Sequence, residues 1–323
     1  MYFNIKGGIN MEWYYYLIII FILFVVGLFI SAFIAFKLFF CRGYEREFIN
    51  VDLSQTLYAK HEEWIKESYS FLQSLPSEDV YMMSRDKLKL KGLYIDNKSE
   101  KTIFFIHGYH STPFNHFACV GRRMYELGYN LFFIDQRAHL QSEGKYPTFG
   151  IKERLDVVDW AHFINKHYNP KHIILYGLSM GCASAEMAIS LDIPNNVRCA
   201  ILDCGFKSPF SLMVYQTKKR VKFFATIGVL VMNIYCKLIG GFSLFESSSE
   251  KSLRKAKVPC FFIHGTNDTT VPFSHGKSNF EACTSKKEFA FLEGVEHALC
   301  YYEGYPDLEE RIVSFIENSI LNM

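Results

Sequence analysis

The sequence has no CxxC pair and no group of histidines and cysteines at metal-ligand spacing, so the signatures of a zinc module and of a dithiol redox site are absent. Its nine cysteines are scattered and odd in number, the pattern of reduced, buried thiols and not of a disulfide-stapled secreted domain. Net charge is only +2 at pH 7, so nothing global draws the chain to nucleic acid. No glycine-rich loop ends in a Lys-Ser or Lys-Thr pair, which leaves nucleotide hydrolysis without its phosphate cradle. No internal repeat and no low-complexity linker breaks the region from Thr102 onward. What the chain does have is apolar bulk. Half of its 323 residues are hydrophobic, with 31 Phe and 20 Tyr, enough for one large domain with an appendage or for two small ones.

The appendage comes first. After a short tail (1–12), residues 14–36 form an uncharged apolar run long enough to cross a bilayer as a helix, and we assign 13–37 as a single-pass membrane anchor. Trp13, Tyr14, Tyr15 and Tyr16 stand at its first edge, where an aromatic belt belongs. A cleavable signal peptide fits less well. The run is long, Lys6 is the only basic side chain ahead of it, and no small-x-small site follows. Lys37, Arg42 and Arg46 follow the run, interspersed with Glu45 and Glu47, and the positive-inside tendency then puts the main domain in the cytoplasm. A start at Met11 would remove Lys6 and sharpen that asymmetry.

Residues 38–78 read as a connecting segment, with a helix expected over 51–75 and ended by Pro76. Two short runs, 80–83 and 88–94, flank Arg85-Asp86 and suggest an antiparallel hairpin. From Thr102 onward, buried runs alternate with helical stretches, the pattern of a mainly parallel sheet covered on both faces. Strands are expected at 102–106, 130–134, 172–176, 197–202, 258–263 and 288–292. Helices are expected at 117–127, 151–168, 182–191, 274–283 and 308–321. The fold class is therefore α/β, with the main domain over 79–323. Residues 206–257 separate two strands by more than a usual connection and read as an inserted helical lid. Bases from Lys207 to Lys257 face only Glu246 and Glu250 there, around an apolar middle at 223–236. Such a lid covers a pocket, and its basic amphipathic face also suits an anionic membrane surface.

The chemistry is organised around Gly177-Leu178-Ser179-Met180-Gly181, which follows a strand and opens a helix. A serine at so sharp a corner is strained and projects its hydroxyl above the sheet, and Gly177 and Gly181 relieve the crowding on either side. A serine hydroxyl needs a base to take its proton and an acid to orient that base. Asp268 follows the strand at 258–263, and His297 follows the strand at 288–292, which gives the chain order Ser, acid, His. Asp203 and Asp135 also end strands and compete for the acid role. A developing oxyanion needs two donors, and the backbone N–H groups of Met180 and of Tyr109, in the loop after the strand at 102–106, are the candidates. Gly108 lets that loop turn closely, His107 braces it, and His110 is a candidate pocket wall.

On these residues the chain resembles the α/β-hydrolases, in particular the membrane-anchored bacterial branch related to serine aminopeptidases and prolyl-oligopeptidase catalytic domains. The matching stretches are His107-Gly108-Tyr109, Asp135 to Gly144, Gly177 to Gly181, His264 to Pro272 and Gly294 to Ala298. Similar proteins usually read Asp-x-Arg-x-His-Gly-x-Ser in the second stretch. Here Leu140 stands in the glycine's place, a departure that bears on this loop's shape and not on the triad. The resemblance implies the fold and a serine-hydrolase reaction without metal or organic cofactor. It leaves ester, thioester and peptide substrates open. The lid and the anchor favour a small-molecule or lipid-like acyl substrate. A peptidase and a catalytically silent membrane-binding module are the alternatives.

Overall fold

The computed structural model describes residues 13–45 and 47–321. The tail over 1–12, with Lys6 and Met11, and the basic residue Arg46 lie outside the described residues. The chain opens with helix α1 (Trp13–Phe40), followed by helix α2 (Glu62–Ser74) and the strands β1 (Glu78–Met83), β2 (Lys89–Ile95) and β3 (Lys101–Ile106). Helices and strands then alternate: α3 (Pro113–Glu126), β4 (Asn130–Ile134), α4 (Glu153–Tyr168), β5 (His172–Leu178), α5 (Met180–Ala188) and β6 (Val197–Asp203). The insertion holds α6 (Pro209–Lys218), α7 (Ala225–Tyr235), a π-helical turn (Cys236–Gly240) and α8 (Ser249–Leu253). The chain ends with β7 (Cys260–Gly265), α9 (Phe273–Ala282), β8 (Lys287–Leu292), α10 (Cys300–Gly304) and α11 (Asp307–Leu321).

The strands form one eight-stranded sheet in the order β1-β2-β4-β3-β5-β6-β7-β8. The hairpin β1–β2 and the pair β2–β4 are antiparallel, and every later pair is parallel. Because side chains alternate along a strand, β3 to β7 each feed two cores. In β3, Ile103 and Phe105 point to a core shared with α2, α3 and α11, while Phe104 and Ile106 point to one shared with α4, α5 and α9. The parallel pairing leaves the carboxyl ends of β3 to β8 along one rim, where ligands of open α/β sheets gather.

A third apolar cluster lies outside the sheet. It joins Ala32, Phe36 and Phe40 of α1 to Leu212 and Met213 of α6, Val229 and Met232 of α7, and Met180 beside Ser179. This packing carries α1 beyond its expected end at 37. Phe36 and Phe40 are fully buried, and a lysine at 37 does not stop a helix whose neighbours are held on both sides. Leu253 of α8 packs with the sheet's side core instead, so the part of the insertion that roofs the rim is α6 and α7.

The connecting segment differs from expectation in its first half. Helix α2 spans only Glu62–Ser74, and ahead of it stand two 3₁₀ turns, Phe48–Asn50 and Ala59–His61. Short polar side chains compete for the backbone there: Ser54 N–H donates to Asp52 Oδ1 at 2.9 Å, and Thr56 Oγ1 donates to the Leu53 carbonyl at 2.7 Å.

Candidate active site

Strand β5 runs into Ser179, whose backbone sits at φ 56° and ψ −113°, and α5 starts at the next residue. That conformation is costly for a residue with a Cβ and is held by its surroundings. Ser179 N–H donates to the Asp203 carbonyl at 2.9 Å. A Cβ on Gly177 would come within 2.6 Å of the Gly181 carbonyl oxygen, and one on Gly181 would overlap the backbone of Ile106. Both glycines are therefore required by close approach of chain to chain.

The structure brings the three distant side chains together. Ser179 Oγ lies 3.0 Å from His297 Nε2, and His297 Nδ1 lies 2.6 Å from Asp268 Oδ2. An ionised carboxylate only accepts, so Nδ1 carries the proton it donates to Asp268, and Nε2 is left to accept from the serine hydroxyl. Asp268 is fixed on its other oxygen as well: Oδ1 accepts from the N–H groups of Thr270 at 2.8 Å and Val271 at 2.7 Å. Burial pushes this carboxyl up, but the hydrogen bonds from His264 and His297 outweigh it and hold Asp268 below the usual carboxylate range. It is charged at neutral pH, as an orienting acid must be.

The competing acids stand elsewhere. Asp203 is buried at the end of β6, with Oδ1 lacking a hydrogen-bond partner among the described residues, and burial pushes its carboxyl up to about 7. Asp135, at the end of β4, accepts from Gln141 N–H at 3.2 Å and is pushed up to about 6 by burial. Neither has a hydrogen bond to His297 among those described.

The loop after β3 lies against the serine. A Cβ on Gly108 would sit 3.2 Å from Ser179 Cβ, which brings the following Tyr109 N–H to the same corner as the Met180 N–H at the start of α5. Met180 opens α5, so its N–H is among the first-turn donors without a partner inside the helix. His107 takes the bracing position: its Nδ1 donates to the Gly108 carbonyl at 2.7 Å, and its Nε2 accepts from Gln136 N–H at 3.0 Å. Burial keeps it neutral, well below its ordinary value. His110 stacks on Tyr109 and faces the Cys41 carbonyl at 3.3 Å, so it ties the loop to the end of α1.

Three further histidines take roles that the sequence did not assign, although His139 and His264 stand in the matching stretches. His116 Nδ1 accepts from Gly108 N–H at 3.0 Å, and burial, aided by nearby His297, pushes it down to about 3. His139 Nε2 accepts from His110 N–H at 3.0 Å, and burial pushes it to about 4. His264 lies 3.3 Å from Asp268 Oδ2 and 2.9 Å from the Val271 carbonyl, a second donor to the acid loop. Their signal in the sequence was slight. His116 precedes the expected start of its helix at 117, whereas the Thr112 cap, which accepts from Asn115 N–H at 3.0 Å, starts α3 four residues earlier. Leu140, where glycine was expected, adopts φ 43°, so the left-handed turn of the loop is kept at the cost of strain. Cys204 Sγ lies 4.0 Å from His297 Nε2. With Asp268 it offers three ligand atoms within 4.8 Å of one another, but a metal there would take His297 away from Ser179.

This rim of parallel strands is matched by known proteins. A family model described as "alpha/beta hydrolase fold" covers residues 101–228. The Pyrococcus furiosus esterase Pf2001 superposes with a TM-score of 0.63 at 26% identity, over 76% of this chain and 92% of that one. This chain has the α/β-hydrolase fold. The hydrolase is 24% identical to YqkD of Bacillus subtilis over 231 residues, 71% of this chain and 75% of its relative. It is 27% identical to alpha/beta hydrolase domain-containing protein 17B of Xenopus laevis over 195 residues, 60% of this chain and 58% of that protein.

Proposed function

We propose that this hydrolase is a membrane-anchored serine hydrolase that cleaves acyl esters or thioesters through an acyl-serine intermediate. The observation that carries the reading is the unbroken hydrogen-bonded line from Ser179 Oγ through His297 to Asp268. Ser179 Oγ attacks the substrate carbonyl as His297 Nε2 takes its proton. Asp268 stabilises the resulting imidazolium and keeps its orientation. The Tyr109 and Met180 N–H groups receive the oxyanion, and removing one such donor from a site of this kind costs about 10²–10³ in rate. His297 then protonates the leaving group. A water, deprotonated by the same imidazole, cleaves the acyl-serine and restores the hydroxyl.

The membrane reading rests on α1, 28 residues long and apolar enough to cross a bilayer. The basic residues after it favour a cytoplasmic domain. The acyl reading rests on the apolar cluster that joins α1, α6 and α7 to Met180, next to the nucleophile. Peptide bonds and a catalytically silent module are the readings to be displaced by experiment. Full-length protein in detergent is treated with a fluorophosphonate probe, and turnover is measured on acyl esters, thioesters and peptide amides. Wild type is expected to label and to favour esters or thioesters. Ser179→Ala is expected to lose labelling and about 10⁵–10⁶ in kcat while remaining folded. Labelling that survives Ser179→Ala, or turnover confined to amides, would overturn the proposal.

A further inference from the structure

Helices α1 and α7 pack together along part of their length only. Between them runs a groove of about 490 Å³, a volume within the range of small-molecule sites. Of its lining side chains only Ser31, Thr217 and Arg220 are polar. Glycine stands on both walls, Gly27 in α1 and Gly228 in α7, and a Cβ at either would meet nothing within 4 Å. Close packing therefore does not call for glycine at these two positions, and glycine in a helix interior costs about 1 kcal/mol relative to alanine. The two glycines keep the groove wide.

Depth and polarity identify what fills it. With Trp13 to Tyr16 at one interface, about 20 residues of α1 cross the hydrocarbon, so the wall from Phe24 to Ala35 lies in the half of the bilayer nearer the domain. The exposed face of α7 and its flanks is apolar too, with Phe223 91% and Leu238 78% exposed. The cationic end of the groove lies where the headgroups begin: the Arg220 guanidinium is 5.8 Å from the ring of Phe39. That same end is tied to both catalytic loops. Tyr109 Oη donates to the Phe39 carbonyl at 2.9 Å, and Gln216 of α6 donates to the Thr270 carbonyl, two residues from Asp268.

We propose that this groove is the acyl-chain site of the enzyme, filled laterally from the bilayer by one hydrocarbon tail of an ester or thioester substrate, with Arg220 at the substrate's anionic headgroup end. The proposal rests on the serine-hydrolase reading and adds the place, the direction of entry and the long-chain class of substrate. It gives α1 a second task, since half the wall of the binding site belongs to the anchor.

The test uses the full chain in phosphatidylcholine vesicles containing an ether-linked, non-hydrolysable long-chain lipid with a mid-chain diazirine. Photolysis is expected to mark peptides of α1 and α7 in wild type and in Ser179→Ala alike. It is expected to mark them far less in Gly27→Leu/Gly228→Leu, which fills the groove while favouring both helices. In parallel, the double variant is expected to lower the ratio of long-chain to short-chain ester kcat/KM by at least about tenfold. Marking spread evenly along all exposed apolar helix faces, or an unchanged ratio, would overturn the proposal. So would marking of α1 and α7 that is unchanged in the double variant. Failure of the serine-hydrolase reading shows separately, as absent fluorophosphonate labelling, because the photolysis arm needs no chemistry at Ser179.

Discussion

At the sheet rim, Asp268 accepts hydrogen bonds on both oxygens from Thr270, Val271 and His297, His297 is held between it and Ser179, and neutral histidines pin the loop beside them. At the roof, α1 and α7 meet through apolar side chains with a groove left between them, and Tyr235 Oη to the Phe29 carbonyl, at 3.2 Å, is a rare polar tie. The rim is over-determined because chemistry tolerates little displacement of the reacting atoms. The roof is held by non-directional burial, which permits exchange with lipid tails of the same polarity. One protein thus joins a rigid reaction centre to an adaptable apolar cover.

The sharpest way to break this contrast is to loosen the rim without emptying it. Asp268→Asn preserves the shape but turns an acceptor into a donor opposite His297 Nδ1, so the imidazole adopts the wrong tautomer. A fall in kcat of about 10⁴ is expected in steady-state ester hydrolysis, with thermal stability close to wild type. A loss below tenfold would mean that the acid's role lies elsewhere, with Asp203 the nearest substitute.

Asp203 tests the opposite property, a buried rim group kept uncharged. Burial raises its carboxyl from 3.8 to about 7. A raised acid contributes stability that is complete below the unfolded value and is lost as pH rises through the folded one. Between about pH 4 and pH 7 the folded chain therefore retains a proton that the unfolded chain releases, and stability falls by up to ~4 kcal/mol. Asp203→Asn removes this fall. Denaturant unfolding of the full chain in detergent, run across that range, should show the variant gaining on wild type as pH rises. A constant difference would refute the linkage.

The smallest effect is expected at Leu140, whose φ of 43° suits glycine. Leu140→Gly relieves the strain, and a gain of about 1 kcal/mol in unfolding free energy is expected, less the backbone entropy that glycine adds to the unfolded chain. A loss of more than that amount would show that the leucine side chain has a packing role that offsets its backbone.

Much of this arrangement was legible in the chain. The six later strands lie within a few residues of their expected positions; β3 to β7 are almost wholly buried and carry apolar runs, whereas β8 at the sheet edge buries only Ala290. The elbow was legible because close backbone approach leaves glycine no substitute at 177 and 181. The 3₁₀ turns ahead of α2 were not legible, since competition from Asp52, Ser54 and Thr56 is settled residue by residue. Nor were the roles of His116 and His139, which accept from backbone N–H groups of the loop after β3, or that of His264 beside Asp268.

The sequence by itself determined the order of strands and helices, the sharp turn at Ser179 and the apolar length of α1, because periodicity, glycine and hydrophobic run length are local properties. Only the tertiary structure decided which aspartate faces His297, which histidines brace the Gly108 loop, and that α1 forms one wall of a groove. Those outcomes depend on where crossovers set distant segments side by side, and distance in space is not written in spacing along the chain.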